Sequence, residues 1–471
     1  MEINEEYVMK SKKITWIGIG LFTVLMYLMG VFSGVVDAAK ELWKFHQDFP
    51  HASISILLDI NQNEEKVPAY ELPPVLRSVA GKPMTSAEQW QNNQQDLLAQ
   101  FAKHIYGQTP SKQLLVTSRV IESSKQAFND KALRQQVTLT FQGQSNSLEH
   151  KITMLIYRPN NISGPVPAFL GLNFRGNHTI TSDPAVLLTQ NWVKKDVEHG
   201  VLSNQATDAN RGQRVRRYPI EMIIDRGYAF VTAYYGDFYP DHINGQPNSI
   251  HSLFSDDISK DATNDVNIAK WGAIGAWSWG MSRMLDYLEL DESIDASRVV
   301  TIGHSRLGKA SLWSAAQDQR FAAAISNNSG SVGAALSRRQ FGETVKIITT
   351  MFPHWFTPEF KNYAEQEDKL PIDQHQLIAL LAPRPVYVAS GSKDHWADPR
   401  GEFLAASAAA PVYQLFGMDT DKLSTMPDVG EAITGPISYH LRDGKHDMLT
   451  FDWNHYLNFA DCHLVEKSVC Q

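Results

Sequence analysis

Residues 299–309, VVTIGHSRLGK, constrain this chain more than any other stretch. Val299, Val300, Thr301 and Ile302 are all β-branched and read as a short buried strand. The strand stops at Gly303, and residues 309–316 (KASLWSAA) read as a helix. Ser305 therefore stands on the turn between strand and helix. Small residues on either side, Gly303 and Gly308, let the two backbones approach. A hydroxyl held in this way above a buried strand is placed for nucleophilic chemistry, given a base and a group to orient that base.

Much of the chain repeats the alternation. Residues 136–141 and 150–157 alternate apolar and polar side chains, the pattern of antiparallel strands. Residues 168–172, 228–235, 322–325 and 386–389 read as further strands, the last of them the final clear buried strand. Helices are predicted over 87–106, ended by Gly107, over 274–290 and over 401–410. Trp277, Trp279, Met281 and Met284 in the second helix read as core packing. Strands alternating with helices predict an α/β fold, a mostly parallel central sheet with helices on both faces. No internal repeat or low-complexity segment suggests a second catalytic domain.

In α/β-hydrolases of this architecture the nucleophile sits on a G-x-S-x-G elbow. Here the pattern is Gly303-His304-Ser305-Arg306-Leu307-Gly308, one residue longer. The loop 173–178, NFRGNH, follows the third strand, where the fold donates a backbone N–H to the oxyanion. Gly176 there would let backbone approach substrate; an ordinary exit from a strand is the competing reading.

The chain order of such a triad is Ser, acid, His. After the strand at 386–389 come two aspartates. Asp398 precedes Pro399 and a helical run, which suits an N-cap with proline at the first helical position. Asp394 has no such structural task and is favoured as the orienting carboxylate. His446, in the polar loop Asp443-Gly444-Lys445-His446-Asp447, has the right order for the base, with His440 a nearby competitor among 16 histidines.

The ends carry other signals. Lys10, Lys12 and Lys13 precede an uncharged apolar run, 14–36, which as a helix would be about 35 Å long. Its positive flank predicts export of the downstream chain, whether the run stays as a signal anchor in the inner membrane or is cleaved near Val36-Asp37-Ala38. Either way the catalytic part is expected in the periplasm or outside the cell. Residues 37–71 read as a stalk, with 72–471 the catalytic domain. A net charge of −8 argues against a nucleic-acid surface. Cys462 and Cys470 form a tail disulfide or remain free thiols.

With Ser305, Asp394 and His446 placed, the sequence from about Leu72 to Leu464 resembles the glucuronoyl esterases. These act on the ester between a glucuronic acid of xylan and a lignin alcohol. The resemblance is most specific at Gly303-His304-Ser305-Arg306-Leu307-Gly308-Lys309, similar to the family's G-x-S-R-x-G-K elbow, which accounts for the extra residue. Further family-like segments are 171–178 (GLNFRGNH), 351–356 (MFPHWF), 373–375 (DQH), 382–385 (APRP) and 394–399 (DHWADP). The resemblance implies Ser305 as nucleophile, His446 as base and Arg306 as stabiliser of the oxyanion. It implies that Lys309 reaches sugar hydroxyls and that Glu343 and Trp396 hold the sugar ring. Many members carry the acid as a Glu before Ser-Gly, where this chain has Asn328. An amide cannot balance an imidazolium, so the chain resembles the largely bacterial subset that uses the acid after the late strand. The implied partner is an ester of a uronic-acid-containing polysaccharide, handled without metal or cofactor. A carbohydrate acetyl esterase and a catalytically silent, anchored glycan-binding protein are the alternatives.

Overall fold

The computed structural model describes residues 42–111, 114–143, 148–254 and 271–465. The apolar run 14–36 and Cys470 lie outside them. Cys462 is disulfide-bonded. Among the described residues no helix is long and apolar enough to cross a membrane. The chain divides into two units, Met1–Ile60 and Asn61–Gln471. The described part of the first holds a helix at 42–48 and a 3-10 helix, Ile54–Asp59, opened by Ser53, whose hydroxyl accepts from the Ser55 N–H.

The second unit is built on a ten-stranded sheet with the order β1-β2-β3-β5-β4-β6-β7-β8-β10-β9. Its strands are β1 (Leu115–Gln126), β2 (Ala132–Gln142), β3 (Glu149–Pro159), β4 (Val166–Asn173) and β5 (Ala229–Tyr234), then β6 (Ile294–His304), β7 (Ala323–Asn327), β8 (Val386–Gly391), β9 (Ala432–Ile433) and β10 (Ile437–Arg442). β5, β4, β6, β7, β8 and β10 run parallel, while β1–β3 and β9 add antiparallel edges. From β4 the order steps to β5 on one side and β6 on the other. Ligands of such sheets gather outside the strands' carboxyl ends at this reversal. The sheet is thus the mostly parallel one expected of an α/β-hydrolase.

The long helices are α1 (Ala87–Phe101), α2 (Ala273–Leu288), α3 (Arg306–Gln317), α4 (Pro399–Leu415) and α5 (Thr450–Ala460). Alternation along β6 assigns two of them to opposite faces. Val300 and Ile302 join Phe169, Phe230 and Tyr387 in a core closed by Trp453, Tyr456 and Phe459 of α5. Between them Thr301 turns to the other face, where its hydroxyl oxygen accepts from Ser311 of α3 at 2.9 Å. Removal of each such apolar side chain from water contributes about 1.5–3 kcal/mol. Trp277, Met281 and Met284 of α2 are core, as their spacing predicts. Gly107 ends the first helical stretch at φ 90°, and a Cβ there would lie 2.0 Å from Trp271 Cα.

Two expectations change. Residues 386–389 are not the last buried strand: β10 pairs with β8 in parallel from Ile437↔Val386 to Arg442↔Gly391. β1 went unread because its side chains are mostly exposed and follow no apolar period. The Asn61 carbonyl accepts from the Gly342 N–H at 2.7 Å, and the Glu64 carboxylate pairs with Arg339 at 2.7 Å, which ties these largely exposed residues to the second unit.

Candidate active site

Ser305 joins β6 to α3 with φ 58° and ψ −131°, a sparsely populated backbone region that costs about 1–3 kcal/mol. The surroundings hold it there. The Ser305 N–H donates to the Asn327 carbonyl at the end of β7 (2.8 Å), and the Ser305 carbonyl accepts from Gly308 (2.8 Å). A Cβ on Gly303 would stand 1.9 Å from the Leu307 carbonyl oxygen, and one on Gly308 would stand 3.0 Å from that of Gly303. Both glycines are therefore steric requirements of the turn, at the spacing of this longer motif.

His446 meets Asp394 as the chain order predicts. Its Nδ1 lies 2.5 Å from Asp394 Oδ2, so Nδ1–H donates and Nε2 keeps its lone pair. The His446 side chain is 36% exposed, while Asp394 is buried. His304, next to Ser305, places its ring 4.5 Å from the ring of His446, which sets His446 beside the elbow. Burial, then the charges of Arg217 and His446, hold His304 well below the usual histidine range, so it sits there neutral. Asn327 fixes its tautomer: the amide NH2 donates to the Tyr456 hydroxyl (2.8 Å), leaving Oδ1 to accept from His304 Nδ1–H at 2.5 Å.

The loop carrying His446 is braced from both ends. Arg442 donates to the carbonyls of Asp443 (2.9 Å), Lys445 (2.8 Å) and Asp447 (2.9 Å). The Asp447 carboxylate takes Arg217 at 2.8 Å and is also paired with Arg216. The two competitors are occupied elsewhere. Asp398 caps α4 through the Gly401 N–H (2.9 Å) and pairs with Arg339 at 2.8 Å. His440 is fully buried on β10 and donates to Asp452 at 2.7 Å.

Arg306 opens α3, so its backbone N–H is one of the first-turn donors without an acceptor inside the helix. Its guanidinium, one quarter exposed, is ion-paired with Asp241 and lies 4.6 Å from the Trp355 ring centre and 5.1 Å from that of Phe352. Asp241 also accepts from Tyr235 (2.9 Å), His354 (2.8 Å) and Trp355 (2.7 Å). Burial opposes ionisation of Asp241, but the charge of Arg306 and the donors His354 and Trp355 outweigh it and hold the carboxyl well below its ordinary range. The cation is therefore fixed before any substrate arrives.

Lys309 does not reach outward as expected. Buried one turn along α3, its ammonium donates to the carbonyls of Ser329 and Ser331 (2.8 Å to the latter) and to Glu343 (2.7 Å), which uses all three N–H bonds. The other Glu343 oxygen accepts from the Trp396 indole at 3.2 Å, and Trp396 is half-buried. Lys309 thus anchors Glu343 and Trp396. Of the two readings left open for Gly176, the structure favours the ordinary exit from a strand: its N–H is taken by Asn173 Oδ1 (2.9 Å), and a Cβ would lie 2.8 Å from the His178 ring. That glycine serves the packing of His178.

Comparison with known proteins decides the family. The chain is 44% identical over 408 residues to carbohydrate esterase MZ0003 from an unknown prokaryotic organism, covering 86% of this chain and 92% of that one. The chain belongs to the glucuronoyl esterase family. The family description "glucuronyl esterase, fungi" matches residues 265–417. A glucuronoyl esterase structure from Solibacter usitatus is 40% identical with a TM-score of 0.78, covering 85% of this chain and all of that one. A promiscuous esterase of carbohydrate esterase family 15 from a marine bacterial metagenome is 43% identical with the same TM-score, covering 86% and 100%. Among fungal relatives, 4-O-methyl-glucuronoyl methylesterase 1 of Wolfiporia cocos is 33% identical over 175 residues, 35% of this chain and 41% of that one. As a glucuronoyl esterase family member the protein is a carboxylic ester hydrolase.

Several residues of this esterase site were not singled out from sequence. Asp241, which fixes Arg306, lies 65 positions before it and carries no local signal. Arg442, which braces the His446 loop, lies on the strand the sequence reading missed. Glu402, buried on α4, accepts from the N–H groups of Ser329 (2.7 Å) and Gly330 (3.0 Å) behind the elbow. Burial pushes its carboxyl up to about 8, against the hydrogen bond with Ser390.

Proposed function

We propose that this esterase hydrolyses the ester of glucuronic acid, or of its 4-O-methyl form, on glucuronoxylan with lignin alcohols, or a related uronate ester, through Ser305, His446 and Asp394. The observation that carries the reading is the pairing of His446 with buried Asp394 beside the Ser305 elbow. His446 Nε2 takes the proton of Ser305 as its oxygen attacks the ester carbonyl. The carbonyl oxygen gains negative charge and is met by the Arg306 N–H and guanidinium, which Asp241 holds in place. Asp394 keeps the tautomer of His446 and balances the imidazolium. His446 then returns the proton to the departing alcohol, leaving a glucuronoyl ester on Ser305. Water, deprotonated by His446, attacks that ester and frees the acid.

On the acyl side, the Trp396 ring and the remaining lone pairs of Glu343 face the sugar, both held by Lys309. The names of the fungal methylesterases favour a uronate acyl group, and the promiscuity stated for the marine relative favours a breadth of ester substrates. The reading includes export: the lysines and apolar run before residue 37 carry the hydrolase out of the cytoplasm, as anchor or cleaved signal. Hydrolysis of benzyl and methyl glucuronate, beside an acetylated sugar, is the test. Turnover of the uronate esters, abolished in Ser305→Ala, is expected; turnover of the acetyl ester alone would transfer the assignment to an acetyl esterase.

A further inference from the structure

Asn328 occupies the position where many glucuronoyl esterases carry their acid, and it is not idle. It follows β7 with φ 46°, its N–H donating to Ala389 on β8 at 2.7 Å. Its Nδ2 donates to Asp394 Oδ2 at 2.6 Å. The same oxygen accepts from His446 Nδ1 at 2.5 Å. One carboxylate oxygen thus takes two donors from two elements, which fixes its position relative to the ring.

The other half of the amide gives the sign of this arrangement. Asn328 Oδ1 is buried and finds no hydrogen-bond partner among the described residues, a state that costs about 1–3 kcal/mol. Turning the amide over would press Oδ1 against the carboxylate, so the side chain keeps its donor on Asp394 and leaves its acceptor unmet. Space is kept for it as well: a Cβ on Gly391 would lie 3.2 Å from Asn328 Nδ2 and 2.8 Å from the Gly444 carbonyl of the His446 loop. A carboxylate at position 328 would stand at hydrogen-bond distance from Asp394, where two like charges cannot both ionise freely.

We propose that Asn328 is a positioning residue for catalysis: a neutral donor that aims Asp394 at His446 without adding a second negative charge. The inference rests on the triad reading above. His446 and Asp394 are faced by His304 from β6, Glu402 from α4 and Arg442 from β10, with Arg217 across Asp447. None of these occupies the donor position of Asn328 on Asp394 Oδ2.

The test is steady-state hydrolysis of benzyl glucuronate across pH by the wild-type chain, Asn328→Gly, Asn328→Asp and Asp394→Asn. Glycine accepts φ 46° without strain, so Asn328→Gly removes the amide and spares the backbone. It is expected to lower kcat about 10- to 100-fold with KM unchanged, as loss of aim does. Asn328→Asp keeps the shape, and once the second carboxyl of the pair gives up its proton the extra negative charge favours the imidazolium, so the acid limb of kcat/KM is expected to move up by about one pH unit. A folded Asn328→Gly with wild-type kcat, a loss confined to KM, or an unmoved acid limb in Asn328→Asp overturns the proposal. If Asp394→Asn is inactive while Asn328→Gly is normal, only this inference falls. Full activity of Asp394→Asn would remove the triad reading and the inference together.

Discussion

His440 and His446 lie six positions apart, and each gives one ring nitrogen to an aspartate, at 2.7 Å to Asp452 and 2.5 Å to Asp394. Sequence places them in the same stretch of chain; their surroundings separate them. His440 has no exposed side-chain surface, and its second nitrogen faces the Tyr387 hydroxyl at 3.0 Å. His446 is 36% exposed, and the proposed reaction uses the nitrogen away from Asp394. Their carboxylates differ too. Asp452 also pairs with Arg442 (3.1 Å) and accepts from the Leu449 N–H (2.6 Å) at the start of α5, so the inner pair locks strand to helix. Asp394 has a neutral amide as its second partner. A His–Asp pair becomes a base where one ring nitrogen is left open, and a brace where every donor and acceptor is spent.

The largest effect should come from removing what the outer pair serves. Ser305→Ala is expected to lower kcat for benzyl glucuronate by about 10³-fold or more, with the melting temperature preserved; retained turnover would show that this pair serves another nucleophile. Arg306→Met keeps the apolar stem against Trp355 and removes the cation. A fall of about 10²-fold in kcat is expected, and a change in KM alone would mean that Arg306 binds ground state rather than oxyanion. Asp452→Asn strikes the inner pair and leaves Arg442 buried without its counter-charge. It should cost about 3–5 kcal/mol in denaturant unfolding, with kcat per folded molecule little changed. The smallest effect concerns protons. Burial holds His440 below its usual range, more than Asp452 offsets, so the folded state resists protonation. The stability contribution of this group is present above about 6.5 and is lost as pH falls below it toward the folded value. His440→Gln should flatten the fall of melting temperature with acid by about one proton's worth of slope; an unchanged slope would mean that His440 is charged in the fold.

The parts legible in sequence were those set by local chemistry. The Ser305 elbow announces itself because its glycines are steric needs of adjacent turns of chain, and Asp398 because proline follows a capping aspartate. β10 was hidden for the opposite reason: Ile437–Arg442 buries a histidine and an arginine whose cost is met by Asp452 from another element, so hydropathy reads the strand as polar. Lys309 misled similarly. A lysine one turn after a nucleophile looks available, and only the fold reveals that Ser329, Ser331 and Glu343 consume it. Asp241 and Asn61 act across long stretches of chain, a distance that no periodicity bridges. Asn328 was seen in sequence as a missing acid; its donor role emerges only with Asp394 folded against it.

The most direct measurement sets Asp394→Asn beside Asp452→Asn, both assayed for kcat/KM on benzyl glucuronate and for unfolding free energy. The account predicts a loss of about 10³- to 10⁴-fold in turnover with near-native stability for the first. For the second it predicts lost stability with near-native turnover per folded molecule. Near-wild-type turnover in folded Asp394→Asn, with activity lost in folded Asp452→Asn, would contradict the assignment of Asp394 and His446 as the catalytic pair.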